Sequence, residues 1–357
     1  MSPVRTAETS VKIPRASSAA SLTDGTRERH ALDVVVDDIT YTVEHSKTKE
    51  RTALLRNVSA TFKHGATHAL MGASGAGKTT LLDVVTARTT SGTIEGGGVY
   101  YGGRRASKAA FMQCAAYVEQ FDTLLPMLTV KETLNYWAEL RARNEEEKEE
   151  ILGRVPLIIQ DLNLSECQDV IVGDALNRGI SGGQAKRTNV ALALVTNPDV
   201  LFLDEPTSGL DSATSLDIVQ MLKHLADSGV TVIATIHSPT SEAFRLFDSL
   251  VMLKKGNVAY AGPLNDALPY FNGLGCKYDN ALNLADFLVS SVASEDIDFV
   301  RVFGESDAGA KNLAALKTSL AAKQLPAPPQ PKVTRGAASK ICTLLKYRTR
   351  YNYKNPD

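Results

Sequence analysis

The run THALMGASGAGKTT, residues 67–80, constrains the chain more than any other stretch of it. Its first six residues have the composition of a short buried strand, and KTTLLDVVTAR after the turn carries Leu81, Leu82, Val84 and Val85 at helical spacing. Between them, glycines let the backbone curl until several N–H groups face one point. The pattern satisfies G-x-x-x-x-G-K-[ST], in which Lys78 supplies a point charge and the Thr79 hydroxyl can ligate Mg²⁺. A dinucleotide fingerprint needs the order G-x-G-x-x-G, which this loop lacks. Gly72, Ala73, Ser74, Gly75, Ala76, Gly77, Lys78, Thr79 and Thr80 therefore form a cradle for the phosphates of a nucleotide. The motif specifies binding and leaves the activity open.

A second apolar run, DVLFLDEP at 199–206, is continuous, as in a strand buried on both faces of a parallel sheet. It ends on Asp204 and Glu205, at the strand edge where open α/β sheets hold their ligands. Asp204 is placed to hold Mg²⁺ through water, and Glu205 to orient and polarise an attacking water. The next buried strand, VTVIATIH, brings His237 to the same edge. The helix between them carries Leu216, Val219, Leu222 and Leu225 on one face and stops near Gly229. LVMLKKGNVAYAGP is a hairpin turning at Lys255-Gly256-Asn257. Buried strands alternating with helices make an α/β core with parallel strands. Residues 94–118 are read as short antiparallel strands and turns, and about 125–195 as an inserted helical region that opens on a Thr129/Glu132 capping box. Its acidic run, 145–150, is read as a solvated helix face.

Within that insertion, ISGGQAKR at 180–187 opens a helix. Ser181 fits an N-cap, Gly182 and Gly183 allow close backbone approach, and Lys186 and Arg187 add positive charge, which together make a second anion site. Lys78 and Ser181 are 103 residues apart, and nothing in the sequence requires them to meet within one chain. A symmetric dimer solves this, with the Lys78 loop of one copy facing the Ser181 helix of the other across a nucleotide.

Composition narrows the alternatives. A net charge of −1 supplies no field to recruit nucleic acid, and no long Lys/Arg cluster stands in the core. Cys114, Cys167, Cys276 and Cys342 form no C-x-x-C pair, so neither zinc nor a disulfide framework is expected and each is read as a small buried apolar residue. Residues 1–31, rich in Ser, Thr, Ala and Arg, have no apolar stretch of a signal peptide and are read as a disordered tail. Glu8, Asp24 and Glu28 spoil the acid-poor pattern of a mitochondrial transit peptide. No run approaches the ~20 apolar residues that cross a bilayer. The boundaries read from the sequence are a nucleotide-binding domain at 32–292, a Pro/Ala-rich linker at 293–338 and an amphipathic segment at 339–357.

Taken together, GASGAGKTT, YVEQFD, ISGGQAKR, VLFLDEPTSGLD and TIHSP stand in the order found in ABC-type ATPases, which the chain resembles over about residues 33–290. The resemblance implies a P-loop, RecA-like α/β core with an antiparallel β subdomain and an inserted α-helical subdomain. LLPMLTVKETLNYWAELR, LALVTNPDVLFLDEPTSGLDSATS and TIHSPTSEAFRLFDSLVMLKKGNVAYAGP narrow it to the G subfamily, the white and pleiotropic-drug-resistance type exporters. By resemblance, Gln120 is the Q-loop residue contacting Mg²⁺ and the water and sensing the membrane domain. Ser181 and Gly183 contact the γ-phosphate of the opposite site, with Gln184 standing where relatives often have glutamate. Asp211 is the D-loop acid at the dimer interface, and Tyr41 is the candidate aromatic for stacking on adenine.

The resemblance also implies ATP and Mg²⁺ as ligands, and a second ABC nucleotide-binding domain as partner in a homo- or heterodimer. It implies a six-helix membrane domain beyond these residues and export of a lipid, sterol or xenobiotic. The tail SKICTLLKYRTRYNYKNPD looks like the connecting segment at the cytoplasmic membrane surface, its Lys340, Lys346, Arg348, Arg350 and Lys354 suited to anionic headgroups. A soluble tail is the alternative for that segment. For the whole chain the alternatives are a truncated decoy that dimerises with full-length relatives, and a soluble ATPase acting on ribosomes or DNA.

Overall fold

The computed structural model describes residues 30–44, 48–89, 91–121, 123–174, 176–279, 281–321 and 336–354. The tail expected before residue 30 and the Pro-rich stretch 322–335 lie outside the described residues. Two sheets make the frame. In the first, β1 (Val34–Glu44) pairs antiparallel with β2 (Arg51–Phe62), and later in the chain β4 (Thr93–Glu95), β5 (Gly98–Tyr101) and β6 (Arg104–Arg105) extend it.

The second sheet begins with β3 (Thr67–Met71), whose five residues are all buried. It runs in the order β11, β10, β3, β9, β8, β7, with β7 (Ala115–Val118), β8 (Val200–Asp204), β9 (Thr231–Thr235) and β10 (Ser249–Lys254) parallel to β3. β11 (Asn257–Pro263) returns antiparallel through the turn expected at Lys255-Gly256-Asn257. Fully buried parallel strands need a helix on each face. α1 (Lys78–Val85) leaves the glycine loop, and α6 (Ser212–Asp227) buries Ile218, Val219, Leu222 and Leu225.

The insertion folds as α3 (Val130–Arg141), α4 (Glu145–Asp161) and α5 (Gly182–Leu194), packed on one another. Thr129 and Glu132 form the expected capping box, and the acids at the start of α4 sit at the positive end of its dipole, largely exposed. Residues 94–118 depart from expectation in their second half. Ser107 caps a short helix, α2 (Lys108–Cys114), and β7 joins the parallel sheet beside β8. The alanine-rich AAYV lacks the β-branched signal that marks such a strand.

After α7 (Ser241–Phe244), α8 (Leu264–Gly273) and α9 (Leu284–Ala293), the chain keeps folding where a linker was expected. α10 (Phe299–Glu305) buries Phe299 and Phe303 near β11, and each such phenyl contributes about 2 kcal/mol. α11 (Asp307–Ala321) then lies on β1, β2 and β11. Asn312 donates to the Ser59 carbonyl at 3.0 Å, and Ser319 to Asp33, which also accepts from Lys63. The folded unit thus reaches residue 321 rather than 292. α12 (Ala337–Lys354) packs on α3, where Tyr347 lies 4.7 Å from the Tyr136 ring and Lys346 pairs with Glu139 at 2.9 Å. Of the cysteines only Cys167 is buried; Cys114 and Cys276 are half-buried and Cys342 is exposed, so the expectation of four buried cysteines fails.

At the sheet's opposite end from the glycine loop, His68 is 1% exposed. Nε2 donates to the Lys63 carbonyl at 2.9 Å and Nδ1 accepts from Ser249. Burial holds its pKa down to about 4, outweighing the nearby Asp248 and Asp33 carboxylates. An unfolded histidine takes its proton near pH 6.5, so its buried neutral form stabilises the fold above that pH, and the stabilisation is lost as pH falls toward 4. Between pH 7 and pH 5 the loss is about 2 kcal/mol. Urea midpoints at the two pH values should show it, and His68→Gln should flatten the difference. An unchanged difference in that variant would assign the loss to other groups.

Candidate functional site

The parallel strands end level with one another. β3 runs into the 72–77 loop, β7 ends two residues before Gln120, β8 ends on Asp204, and β9 ends two residues before His237. The register pairs Asp204 with Thr235 and Leu203 with Val118. Residues separated by more than 150 positions thus share one carboxyl edge, the ligand edge of such sheets.

Gly77, at φ 104°, makes the left-handed turn into α1 and leaves that helix without a side-chain cap. The first N–H groups of α1 remain available to an anion. Ala73, Ser74 and Gly75 form an exposed lip, while Ala76 is buried beneath it. The Lys78 side chain is buried and folds back, donating from Nζ to the carbonyls of Gly72 at 2.9 Å and Ala73 at 3.2 Å. Burial lowers its pKa below the ordinary lysine value, and the Glu205 and Asp204 carboxylates pull it back. Both acids therefore act on the ammonium through space. Thr79 is exposed and Thr80 half-buried on the first turn of α1.

The two acids are held differently. Asp204 accepts from Thr235 Oγ1 at 2.5 Å and from the Tyr117 hydroxyl at 3.4 Å. Glu205 sits at φ 45°, uncommon for a non-glycine residue, with its N–H donating to Thr235 Oγ1 at 2.8 Å. Gln120 Nε2 donates to Glu205 Oε2 at 2.8 Å, which leaves the Gln120 oxygen as an acceptor for a cation. His237 is exposed and shares with Glu205 a cavity of about 270 Å³, together with Thr207, Gly209 and Ser238. Thr235 and Tyr117 were missed from sequence. Thr235 stands opposite Asp204 through the register of β8 and β9, which an alignment of VIATIH and VLFLDE by their ends misses by one residue.

The second anion site is built as an N-cap. Ser181 Oγ accepts from Gln184 N–H at 3.2 Å, and Gln184 Oε1 accepts from Ser181 N–H at 2.9 Å. The serine hydroxyl keeps its proton to donate outward, and a neutral glutamine puts no negative charge beside it. Gly182 lies against Leu210, and Gly183 is required because a β-carbon there would approach Thr214 Cγ2 to 2.5 Å. Asp211, exposed, caps α6 through the Ala213 and Thr214 N–H groups and accepts from the Thr214 hydroxyl at 2.6 Å, which lowers its pKa. α5 packs on α3, α4, α6 and β7, whereas α1 packs on β2 and β8.

Two expectations are overturned. Lys186 adds no charge to that anion site: it falls on the inward face of α5 with Gly183 and Val190, 3% exposed, and its Nζ donates to the Gln120 carbonyl at 2.8 Å. Arg187 instead faces Asp217 at 3.5 Å. Tyr41 presents no ring for stacking. It alternates with Ile39 on the inward side of β1, 4% exposed, and its hydroxyl donates to the Ser91 carbonyl.

A family model described as ABC transporter matches residues 55–208, the span from β2 through the acids of β8 to Ser208. ABC transporter G family member 1 of Dictyostelium discoideum is 40% identical over 274 residues, 75% of this chain and 34% of that protein. Member 22 of Arabidopsis thaliana is 41% identical over 272 residues, 76% of this chain and 36% of the relative. The chain carries an ABC transporter ATP-binding domain of the G-subfamily type. It spans about a third of the length of these curated relatives. Among solved structures, a dimeric bacterial ABC transporter cassette is 26% identical with a TM-score of 0.50, covering 65% of this chain and 98% of the cassette. The fold is that of the ABC ATPases.

For an ABC ATPase the next requirement is room and donors for a nucleotide with its cation. A β-carbon added at Gly75 would meet nothing within 4 Å, so the lip of the loop is open. The Thr79 hydroxyl, the Asp204 carboxylate and the Gln120 amide oxygen are hard oxygen donors of the kind Mg²⁺ prefers. Among the described residues no group of three or more His, Cys, Asp or Glu could hold a metal ion.

Proposed function

We propose that this ABC ATPase domain binds ATP on the Lys78 loop and hydrolyses it with Glu205 as the group that polarises the attacking water. The observation that carries the reading is the 2.8 Å Gln120–Glu205 hydrogen bond, at a sheet edge shared with Lys78, Asp204 and His237. Lys78 and Glu205 act on each other through space across that edge. Thr79, Asp204 and Gln120 would hold Mg²⁺, whose chemistry is to neutralise charge on the phosphates. His237, across the cavity from Glu205, donates to the γ-phosphate. Ser181 and the open N–H groups of α5 complete the site of a second copy or a relative, making a two-site sandwich in which Asp211 lies at the interface.

Closure and reopening of that sandwich drive a membrane partner. Membership of the G subfamily supports export of a lipid, sterol or xenobiotic. α12 supports membrane association. Ile341, Leu344 and Leu345 are exposed beside Lys340, while Tyr347 ties the helix to α3. Among the described residues no helix is long and apolar enough to cross a membrane. The test is phosphate release from ATP by the purified chain, with Mg²⁺ and with excess EDTA. Release that needs the metal and saturates with ATP is expected. ATP binding without release, at concentrations where the chain is dimeric, would favour the decoy.

A further inference from the structure

A lysine 3% exposed calls for an account, since burying an ammonium costs several kcal/mol unless its charge is met. Lys186 lies on α5, one turn beyond the Ser181 cap, and reaches across to the Gln120 backbone carbonyl at 2.8 Å. The same Gln120 spends its side chain on Glu205, at 2.8 Å. The glutamine is therefore gripped at both ends, by the acid that follows β8 and by the helix that opens with Ser181. Gln120 lies in irregular backbone after β7, where no ladder hydrogen bond fixes its position. The strand stops at Val118, and Phe121 beside it is 78% exposed.

The geometry points to Lys186 as a positioning residue: it tethers the Gln120 main chain to α5, so that the Gln120 side chain meets Glu205 only when α5 is correctly placed. This rests on the proposed ATPase function and deepens it. α5 carries the Ser181 cap offered to a second chain's nucleotide, so engagement there moves the helix whose lysine holds Gln120. One site's occupancy is thereby felt at the other's Glu205 through two hydrogen bonds and a rigid helix. Lys186 is buried, and its influence on Glu205 runs through Gln120.

The experiment compares wild type, Lys186→Met, Gln120→Ala and the double variant as full chains, with two readouts. Amide exchange reads the tether directly: Lys186→Met is expected to speed exchange in the 116–125 peptide about tenfold and to leave the 78–85 peptide of α1 unchanged. Steady-state turnover reads the consequence. kcat is expected to fall about tenfold with KM for ATP within twofold, because a small displacement of an orienting group weakens the chemical step more than binding. In the Gln120→Ala background Lys186→Met should add nothing further, and Lys186→Arg, which keeps a donor, should restore most of the activity. Equal losses in both backgrounds, or equal losses with Met and Arg, would mean the side chain serves packing and would overturn the proposal. So would unchanged exchange at 116–125, whether or not the chain hydrolyses ATP. A wild-type chain without turnover counts against the proposed function and leaves the exchange result to decide the tether. Should the Met variant fail to fold, Lys186→Gln, whose shorter arm cannot span to the carbonyl, goes through the same comparison.

Discussion

Glu205→Gln is expected to lower ATP turnover by about 10²- to 10⁴-fold, the contribution typical of a positioned general base. The substitution changes one atom's chemistry and little else. A glutamine oxygen at position 205 can still accept from Gln120 Nε2, which donates at 2.8 Å in the wild-type chain, so the strand end and the Q-loop need not move. The Thr235 grip on the residue 205 N–H is backbone on one side and is kept. What disappears is a full negative charge that acts on Lys78 and would face the γ-phosphate. ATP affinity should therefore hold or rise, and sizing in ATP and Mg²⁺ should show a longer-lived dimer than wild type forms. Turnover within tenfold of wild type would remove Glu205 from the role given to it. Monomers alone at high concentration, with ATP bound, would instead argue against the sandwich.

The parts of this site that could be read from sequence are those whose geometry is set by a few contiguous residues. The glycine loop between a strand and a helix, the acids closing VLFLDE, and the Ser181 cap with its Gln184 partner are each specified within nine residues or fewer. What escaped is what depends on register or on which way a side chain turns. Thr235 bonds Asp204 because β8 and β9 are in parallel register, a fact held by no local run. Tyr41 is a candidate by resemblance alone, and the period of two puts it beside Ile39 on the core side. Residue type marks Lys186 as a surface cation, whereas the helical period of α5 turns it inward. α10 and α11 went unseen for a different reason. They hold on through a few anchors, Phe299, Phe303, Leu316 and the Ser319–Asp33 bond, and several other positions of α11 are alanine, which marks no buried face.

Two dead chains should make one working site. Lys78→Met removes the charge from the phosphate cradle, and Ser181→Arg replaces the outward hydroxyl with a bulky side chain that cannot cap α5, at a cost of about 1 kcal/mol to the helix. Alone, each variant carries its defect in every composite site, and turnover is expected to fall at least about a hundredfold, as when a transition-state donor is lost. The two should still differ in binding. The Lys78 variant loses ATP affinity, while the Ser181 variant keeps it, since its own Lys78 loop is intact. Mixed one to one, random pairing gives mixed dimers in which one site combines a wild-type Lys78 loop with a wild-type Ser181 cap, so turnover should recover to roughly a quarter of wild type. A site completed within one chain predicts no such recovery, because every chain in the mixture then has a broken site of its own. Turnover of the mixture that equals the mean of the two variants, with pairing confirmed by co-purification of differently tagged chains, would therefore sink the composite site. Recovery would assign the ISGGQ helix to the neighbouring chain's nucleotide, because complementation requires residues 78 and 181 of different copies to act on one ATP.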